Sequence, residues 1–308
     1  MKKKIALIYG GLGQNGYLLT KFLIKKKYKI YSVIKKNNKS RMLKNVIYLK
    51  LSIDKYNKIF NLIKKIKPNE IYNFIGPSDK VSFEKKPYVF FKKDFMLNLF
   101  TLESVKLLNF KTKIFYCSSS EVFGTLKRTV SEKSERIINN NYSLTKNINE
   151  LMIKFYRDNF NINVCYGILF NHDSIYRKDK FLYKILFNFF DKKKFNKPFF
   201  INNINDIKYR SKASEFIKII WKILQRSHLD DYIISSDKSI SVKKLIKKLA
   251  IINQVKLLWK TDFNKIKIYS NKKLIMEGPI KQNKYNVKPN LTKIKNDLKI
   301  DLKKVSLF

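Results

Sequence analysis

Two short segments carry side chains that could act together in catalysis. One is Ser118-Ser119-Ser120-Glu121, and the other is Tyr142-x-x-x-Lys146. Residues four positions apart share one face of a helix, where the lysine ammonium can lower the pKa of the tyrosine phenol. Such a phenol can take the proton of a sugar hydroxyl while a hydride leaves the carbon beneath it. The carboxylate of Glu121 permits a second proton abstraction, so the set predicts a multistep sugar chemistry.

A glycine-rich turn follows the first apolar segment, Ile5–Tyr9. Glycines let the backbone approach a pyrophosphate, and the N-terminus of the next helix supplies N–H groups and a positive dipole. The spacing Gly-x-x-Gly-x-x-Gly resembles the variant of this turn in short-chain dehydrogenases. We expect dinucleotide contacts from Gly10, Gly11, Leu12, Gly13, Gln14, Asn15 and Gly16.

The residues after the second predicted strand, Ile30–Ile34, bear on the choice of cofactor. An acidic residue at this place binds a free ribose hydroxyl, whereas a cation accommodates the 2′-phosphate of NADP. This chain has Lys35-Lys36 and then Arg41, with no carboxylate nearby. We therefore predict NADP, with Lys35 as a contact. The alternative is that these cations are ordinary surface residues of a lysine-rich chain.

Apolar segments alternate with segments of helical periodicity over the first 170 residues. The alternation predicts βαβ units and an α/β fold with a doubly wound parallel sheet. We expect an NADP-binding Rossmann domain over residues 1–170 and a smaller, mostly substrate-binding lobe over residues 171–308. No flexible linker separates them, so the lobes should interleave. Later predicted elements are helices at Ala213–Gln225 and Val242–Ile252 and a strand at Tyr232–Ser235.

The formal net charge of +44 invites a nucleic-acid interpretation. The basic residues are spread over nearly every segment, without a basic tail, and they are mostly lysine. We therefore expect a compositionally biased surface that binds polyanions without specificity, and no specific nucleic-acid partner.

Two further features indicate the compartment. Cys117 and Cys165 lie in apolar, strand-like contexts, which predicts reduced core thiols rather than a disulfide. The N-terminal apolar run ends at Gly10, and no later stretch approaches the roughly 18 apolar residues that span a bilayer. We expect a cytoplasmic protein with no membrane segment and no metal site.

Longer motifs are similar to one family. Besides Gly10–Gly16, Ser118–Gly124 and the Tyr142/Lys146 pair, the block Gly167-Ile168-Leu169-Phe170-Asn171-His172-Asp173-Ser174 resembles the GDP-mannose 4,6-dehydratases, which are extended short-chain dehydrogenases. The similarity covers roughly residues 4–250 in order. It implies conversion of GDP-mannose to GDP-4-keto-6-deoxymannose, and a homo-oligomeric assembly.

The resemblance also implies a role for individual residues. Ser119 stands where the family has a catalytic Thr, and Glu121, Tyr142 and Lys146 match the family's catalytic Glu, Tyr and Lys. Asn171 would face the substrate diphosphate, with Ser120 also a substrate contact. Besides the glycine-rich turn and the Tyr/Lys pair, the implied NADP contacts are Lys35, Phe74, Ile75, Gly76, Pro77, Ser78, Tyr88, His172 and Arg177.

Some positions depart from the family pattern. Lys208-Tyr209-Arg210 replaces an Arg-Asp-Trp-like segment near the sugar nucleotide, and the C-terminal Arg-Pro stretch is not recognisable. Two alternatives therefore stay open. One is another nucleotide-sugar dehydratase, epimerase, decarboxylase or 4-ketoreductase of the same fold. The other is a non-catalytic relative that binds a nucleotide or polyanion.

Overall fold

The structure is a computed structural model. It describes residues 3–35, 39–76, 84, 86–124, 128–177, 185, 198–282 and 287–305. The strands are β1 (Ile5–Tyr9), β2 (Lys29–Ile34), β3 (Val46–Lys50), β4 (Glu70–Asn73), β5 (Lys113–Ser119), β6 (Thr129–Val130), β7 (Val164–Leu169), β8 (Asn171–Asp173), β9 (Phe199–Phe200), β10 (Ile207–Lys212), β11 (Tyr232–Ile234), β12 (Ser239–Ser241), β13 (Leu258–Asp262), β14 (Lys265–Ser270), β15 (Lys273–Pro279) and β16 (Lys288–Pro289). The α-helices are α1 (Gln14–Lys25), α2 (Tyr56–Ile66), α3 (Pro87–Leu108), α4 (Asn141–Phe160), α5 (Ala213–Leu224), α6 (Val242–Ile252) and α7 (Thr292–Leu298).

The described residues form a seven-stranded parallel sheet at the centre of the fold, in the order β11-β7-β5-β4-β1-β2-β3. Its middle strands are buried on both faces, which is why β1 and β7 are continuous apolar runs instead of alternating ones. From β1 the chain adds β2 and β3 on one side of the sheet and then β4, β5, β7 and β11 on the other side. This confirms the predicted doubly wound parallel sheet and α/β class.

The helices that flank the sheet follow from their sequence patterns. α2 buries Ile59, Ile63 and Ile66 on one face and places lysines on the other. α4 begins with a capping box, in which Asn140 accepts from the N–H of Ser143 and the Ser143 hydroxyl accepts from the N–H of Asn140. That cap fixes the start of the helix that carries the Tyr/Lys pair.

A second, smaller sheet lies in the C-terminal half, in the order β13-β14-β15-β9. It packs with α6 around a separate apolar core that includes Leu245, Ile246, Ile268 and Met276. The sequence predicted α6 but not this sheet.

The two halves of the chain interleave. β11 completes the main sheet, and its core also includes Phe216 and Ile220 of α5 and Ile294 of α7. Segments after residue 170 therefore contribute to the core of the main sheet. The boundary between two lobes at residue 170 stays a prediction. Among the described residues, no helix is both long and apolar enough to cross a bilayer.

Candidate active site

A cavity of about 500 Å³ opens at the carboxyl ends of β1, β4, β5 and β7. In doubly wound sheets, ligands bind at this edge because the loops that follow neighbouring strands diverge there. The lining residues come from the segments after these strands and from the helix with the Tyr/Lys pair. They are Gly13, Gln14, Asn15, Phe74, Ile75, Gly76, Cys117, Ser118, Ser119, Ser120, Glu121, Tyr142, Lys146, Leu169, Phe170, Asn171, His172, Asp173, Arg177 and Arg210.

The glycine-rich turn has the geometry that a dinucleotide diphosphate requires. Gly10 has φ +81°, in the left-handed region, and a Cβ on Gly16 would lie 2.3 Å from the Gly10 carbonyl oxygen. Gly13 caps α1 without a side-chain hydrogen bond, and the first turn carries no acidic residue. The positive end of the helix dipole therefore reaches a cavity wall formed by Gly13, Gln14 and Asn15. These residues fit an anionic cofactor.

The side chains that follow the turn tie α1 to the segment after β7. Gln14 donates to the carbonyl of His172 (3.3 Å) and accepts from the hydroxyl of Ser174 (2.9 Å). Asn15 lies 3.0 Å from Nε2 of His172. The side chains of Gln14 and Asn15 therefore connect the glycine-rich turn after β1 to the Asn171–Ser174 segment after β7.

His172 is held by the protein at both ring nitrogens. Its Nδ1 faces the Phe170 carbonyl at 2.9 Å, and its ring stacks on Phe216 with centroids 4.7 Å apart. Burial lowers the pKa of His172 to about 4, although the Phe170 carbonyl opposes that shift. The imidazole is therefore neutral near pH 7 and acts as a link between elements.

The end of β5 brings Ser119, Glu121 and Tyr142 together. Ser119 accepts a hydrogen bond from the backbone N–H of Glu121 (3.3 Å), and its side chain is also hydrogen-bonded to Tyr142. Burial raises the pKa of Tyr142, while the Lys146 charge and the Ser119 hydrogen bond lower it. The expected effect of the lysine is present, but burial outweighs it.

Lys146 is almost fully buried and lies among three acceptors. Its Nζ is 2.9 Å from Oδ2 of Asp94, 2.9 Å from the Tyr116 hydroxyl and 3.1 Å from the Cys117 carbonyl. Burial disfavours the ammonium, but Asp94, Tyr116 and Tyr142 together more than compensate, so the pKa of Lys146 is raised well above its usual value. Nζ is also 5.8 Å from the centroid of the Tyr142 ring.

Several polar residues of the site were not identified from the sequence. Asp94 is one, and Glu150 is another, since it accepts from Ser118 and from Arg136 (2.7 Å) beneath the β5 end. Arg210, by contrast, belongs to the segment that the sequence placed near the sugar nucleotide; it lines the cavity and pairs with the buried Asp173 at 3.0 Å. No spacing or motif distinguishes Asp94 or Glu150 from surface carboxylates on a helix.

Some predicted cofactor residues lie outside this cavity wall. Lys35 is exposed just after β2 and does not line the cavity. Leu12 does not line it either, and its carbonyl accepts a hydrogen bond from Arg41 (2.8 Å). Tyr88 is 75% exposed on the first turn of α3 and does not line the cavity. The Pro77 and Ser78 predictions fall outside the described residues. All of these stay predictions.

Known proteins resemble this chain over most of its length. A family model described as GDP-mannose 4,6 dehydratase matches residues 7–303. The chain belongs to this family. The match extends past residue 250, where the motifs alone indicated little similarity, and it confirms the resemblance inferred from the sequence.

Individual members of the family are distant relatives. The GDP-mannose 4,6 dehydratase of Dictyostelium discoideum is 26% identical over 293 residues, covering 88% of this chain and 82% of the relative. The GDP-mannose 4,6-dehydratase of Vibrio cholerae is 28% identical over 266 residues, covering 80% of this chain and 71% of the relative.

Solved structures share the fold at lower identity. The UDP-glucose 4-epimerase of Thermotoga maritima superposes with a TM-score of 0.80 at 14% identity, covering 98% of this chain and 96% of that one. The dTDP-glucose 4,6-dehydratase of Bacillus anthracis, solved in complex with NAD, gives 0.78 at 18% identity, covering 97% and 91%. At such identities the likeness shows the fold alone.

The described residues contain no group of three or more His, Cys, Asp or Glu side chains placed to hold a metal ion. The charged side chains of the cavity instead lie where they can contact an anionic ligand or move protons. Lys146, Arg177 and Arg210 are its cations, and Glu121 and Asp173 its carboxylates.

Proposed function

We propose that this protein is an NADP-dependent GDP-mannose 4,6-dehydratase that forms GDP-4-keto-6-deoxymannose and water. The observation that carries the proposal is the convergence of Ser119, Glu121, Tyr142 and Lys146 on one cavity, beside a glycine-rich helix N-terminus. Membership of the family supports the substrate and the reaction. A simple alcohol dehydrogenase would not need a second base at the position of Glu121.

A nicotinamide cofactor suits the wall formed by the glycine-rich turn and by Phe74–Gly76. The choice of NADP is supported by the end of β2, where Lys35 is exposed and Arg41 is held beside the turn. The Arg41 guanidinium donates to the carbonyls of Leu12 (2.8 Å) and Tyr176. A cation in this place suits a 2′-phosphate.

A nicotinamide cofactor held against Gly13–Asn15 and Phe74–Gly76 would supply the hydride acceptor for C4 in the first step, and would later supply the same hydride to C6. Tyr142 takes the proton of the 4-hydroxyl. Its hydrogen bond with Ser119 and the charge of Lys146 both favour the phenolate, as the directions of their effects on its pKa require. The sugar now carries a ketone at C4.

In the second step, the ketone acidifies the proton on C5. The Glu121 carboxylate removes this proton and passes it to the departing C6 hydroxyl, which leaves as water. The proton held on Tyr142 returns to C5 as C6 is reduced. The residues and the cofactor finish as they began, so no net oxidation occurs.

The substrate diphosphate and sugar would lie against the remaining wall. Ser120 and Asn171 both line the cavity, in the segments that follow the neighbouring strands β5 and β7. We propose both as substrate contacts, and His172 and Arg177 as contacts to the cofactor. His172 would act through its backbone and position, because its ring nitrogens face protein groups.

A second candidate is favoured by Arg210, which lies where the sequence departs from the family. Its guanidinium lines the cavity next to Asp173. A cation there suits the carboxylate of a nucleotide-linked uronic acid, the substrate of a decarboxylase of this fold.

Mass spectrometry of sugar nucleotides after incubation with the protein and NADP tests the proposal. Loss of one water from GDP-mannose alone is expected. Loss of carbon dioxide from a UDP-uronic acid supports the second candidate. Absence of reaction with GDP-, UDP- and CDP-sugars, together with salt-sensitive polyanion binding, overturns the enzymatic proposal.

We also propose a homo-oligomer in the cytoplasm. The outer face of α4 carries Leu151 and Phe155 at 62% and 53% exposure, and Leu107 on α3 is 63% exposed. Apolar side chains exposed on two helices that pack together favour burial against another chain. Sedimentation of the purified protein measures the assembly.

A further inference from the structure

The ammonium of Lys146 has all of its donors directed to protein groups. A protonated amine carries three N–H bonds. Asp94, Tyr116 and the Cys117 carbonyl lie within 2.9, 2.9 and 3.1 Å of Nζ. The lysine therefore reaches Tyr142 through its charge, and its position is set by the groups that hold it.

Among the groups that favour the charged amine, Asp94 contributes most. The side chains of Asp94 and Lys146 are 1% and 5% exposed, so neither ion is solvated. Oδ2 of Asp94 also accepts from the Tyr116 hydroxyl (3.2 Å), whereas Oδ1 is buried with no hydrogen-bond partner among the described residues. A buried ammonium without such a counter-ion loses its proton readily.

The pair also borders the cofactor side of the cavity. A Cβ on Gly76 would lie 3.2 Å from Nζ of Lys146 and 3.7 Å from both carboxylate oxygens of Asp94. One turn further along α3, Asn98 joins Asn73 of β4 (2.6 Å) to Asn149 of α4 (2.8 Å). The segment after β4, the helix α3 and the catalytic helix α4 are thus fixed to one another around this ion pair.

We propose that Asp94 is a positioning residue for the reaction: it holds Lys146 protonated and fixed beside the Tyr142 ring, which the charge of the ammonium reaches. This inference rests on the proposed function for its catalytic meaning. The groups that face the ammonium are Asp94 from α3, Tyr116 and the Cys117 carbonyl from β5, and Tyr142 from α4. Glu121 faces Tyr142 from the turn after β5. Among these groups only Asp94 gives Nζ a carboxylate within hydrogen-bond distance.

Lysine labelled with ¹³C at Cε reports the charge of Lys146 directly, and a Lys146→Met variant identifies its resonance. The wild-type signal should stay that of a protonated amine from about pH 6 to about pH 10. In Asp94→Asn, which keeps the shape and loses the charge, the signal should titrate within that range. Asp94→Glu should restore the protonated signal, and Tyr116→Phe, which removes one uncharged acceptor, should retain it.

Two results overturn the proposal. One is a wild-type Lys146 that titrates within the range, a measurement that needs no variant to fold. The other is an Asp94→Asn protein whose Lys146 stays charged throughout. If the Asp94→Asn protein unfolds below the temperature of the NMR measurement, its melting temperature is compared with that of Asp94→Asn/Lys146→Met. The double variant should have the higher melting temperature, because it no longer buries an unpaired ammonium. A lower melting temperature of the double variant contradicts the pairing. The titration does not depend on turnover. If the protein does not act on GDP-mannose but Lys146 titrates as predicted, the proposed function is refuted and the effect of Asp94 on the charge of Lys146 is supported.

Discussion

The hydroxyl of Ser119 accepts a hydrogen bond from the backbone N–H of Glu121 at 3.3 Å, and the same side chain is hydrogen-bonded to Tyr142. One hydroxyl therefore contacts the phenol proposed to take the first proton and fixes the turn that carries the carboxylate proposed to take the second. This arrangement links the two proton transfers of a dehydration through a single side chain at the end of β5.

Ser119→Ala should move the pH dependence of turnover. The hydrogen bond from Ser119 lowers the pKa of Tyr142, so its loss raises that pKa further. Because the phenolate is the active base, the rising limb of kcat against pH should shift to higher pH. At neutral pH we expect about a 10- to 100-fold loss of kcat. Ser227→Ala, at an exposed serine after α5, is the control; an equal shift in that variant contradicts the assignment.

Two residues of the glycine-rich turn should both lose stability when changed to alanine, but only one should be rescued by a second substitution. A Cβ on Gly11 would meet the Ser32 hydroxyl oxygen at 1.7 Å, whereas a Cβ on Gly16 would meet the Gly10 carbonyl oxygen at 2.3 Å. Both alanine variants should lose about 1–3 kcal/mol of unfolding free energy. Ser32→Ala should rescue only Gly11→Ala, because the other collision is with backbone.

Ser32→Ala by itself should be harmless, which makes it a clean background for this comparison. Its hydroxyl is buried and has no hydrogen-bond partner among the described residues. Denaturant titration measures all of these variants. Equal rescue of Gly11→Ala and Gly16→Ala would show that the turn is not packed as described.

The stability of the protein should fall in acid because of His172. Its pKa is about 4 in the folded protein against 6.5 for the free side chain, so the unfolded chain binds the proton first as the pH falls. Folding should thus lose up to about 3 kcal/mol between pH 6.5 and pH 4, and none above pH 6.5. His172→Asn should flatten this loss. His228→Gln, at the exposed second histidine of the chain, should not.

Lys35→Ala should change the cofactor preference. If Lys35 contacts the 2′-phosphate, its removal should weaken NADPH binding about 5- to 10-fold and leave NADH binding unchanged. Lys29→Ala, at the other end of β2, is the matched control, since Lys29 is also exposed. Binding of the two dinucleotides by calorimetry measures both. Equal losses for NADPH and NADH would contradict the NADP proposal.

Much of the main sheet could be read from the sequence because its signals are local. Ile5–Tyr9 is apolar at every position and is followed at once by glycines, and α6 begins and ends where its periodicity does. The β14–β15 hairpin lacked such a signal. Its two-residue loop, Asn271-Lys272, has positive φ at both positions, where hairpins usually show Asn-Gly.

The candidate site was predictable only where a motif marks it. Tyr142, Lys146, Ser119 and Glu121 follow known spacings, and the structure brings them to one cavity. Asp94 could not be found in this way. Its helix α3 is apolar around most of its circumference, so periodicity does not indicate which face is buried, and only the packing of α3 against α4 reveals a buried carboxylate.

Glu121→Gln should separate the two halves of the proposed reaction. The amide keeps the size of the side chain but cannot remove the proton on C5, so water elimination should fall by at least about 100-fold. Binding of the dinucleotide should be unaffected, which calorimetry checks. Glu135→Gln, at an exposed loop carboxylate, should retain wild-type turnover.

The most direct test of the central claim follows one hydrogen atom. GDP-mannose deuterated at C4 is incubated with the protein and unlabelled NADP, and the product is examined by NMR and mass spectrometry. The proposal predicts loss of one water and a deuterium at C6 of the 4-keto-6-deoxy sugar, because the hydride removed from C4 returns at C6. A dehydrated product without deuterium at C6, or label lost to free cofactor, would contradict it.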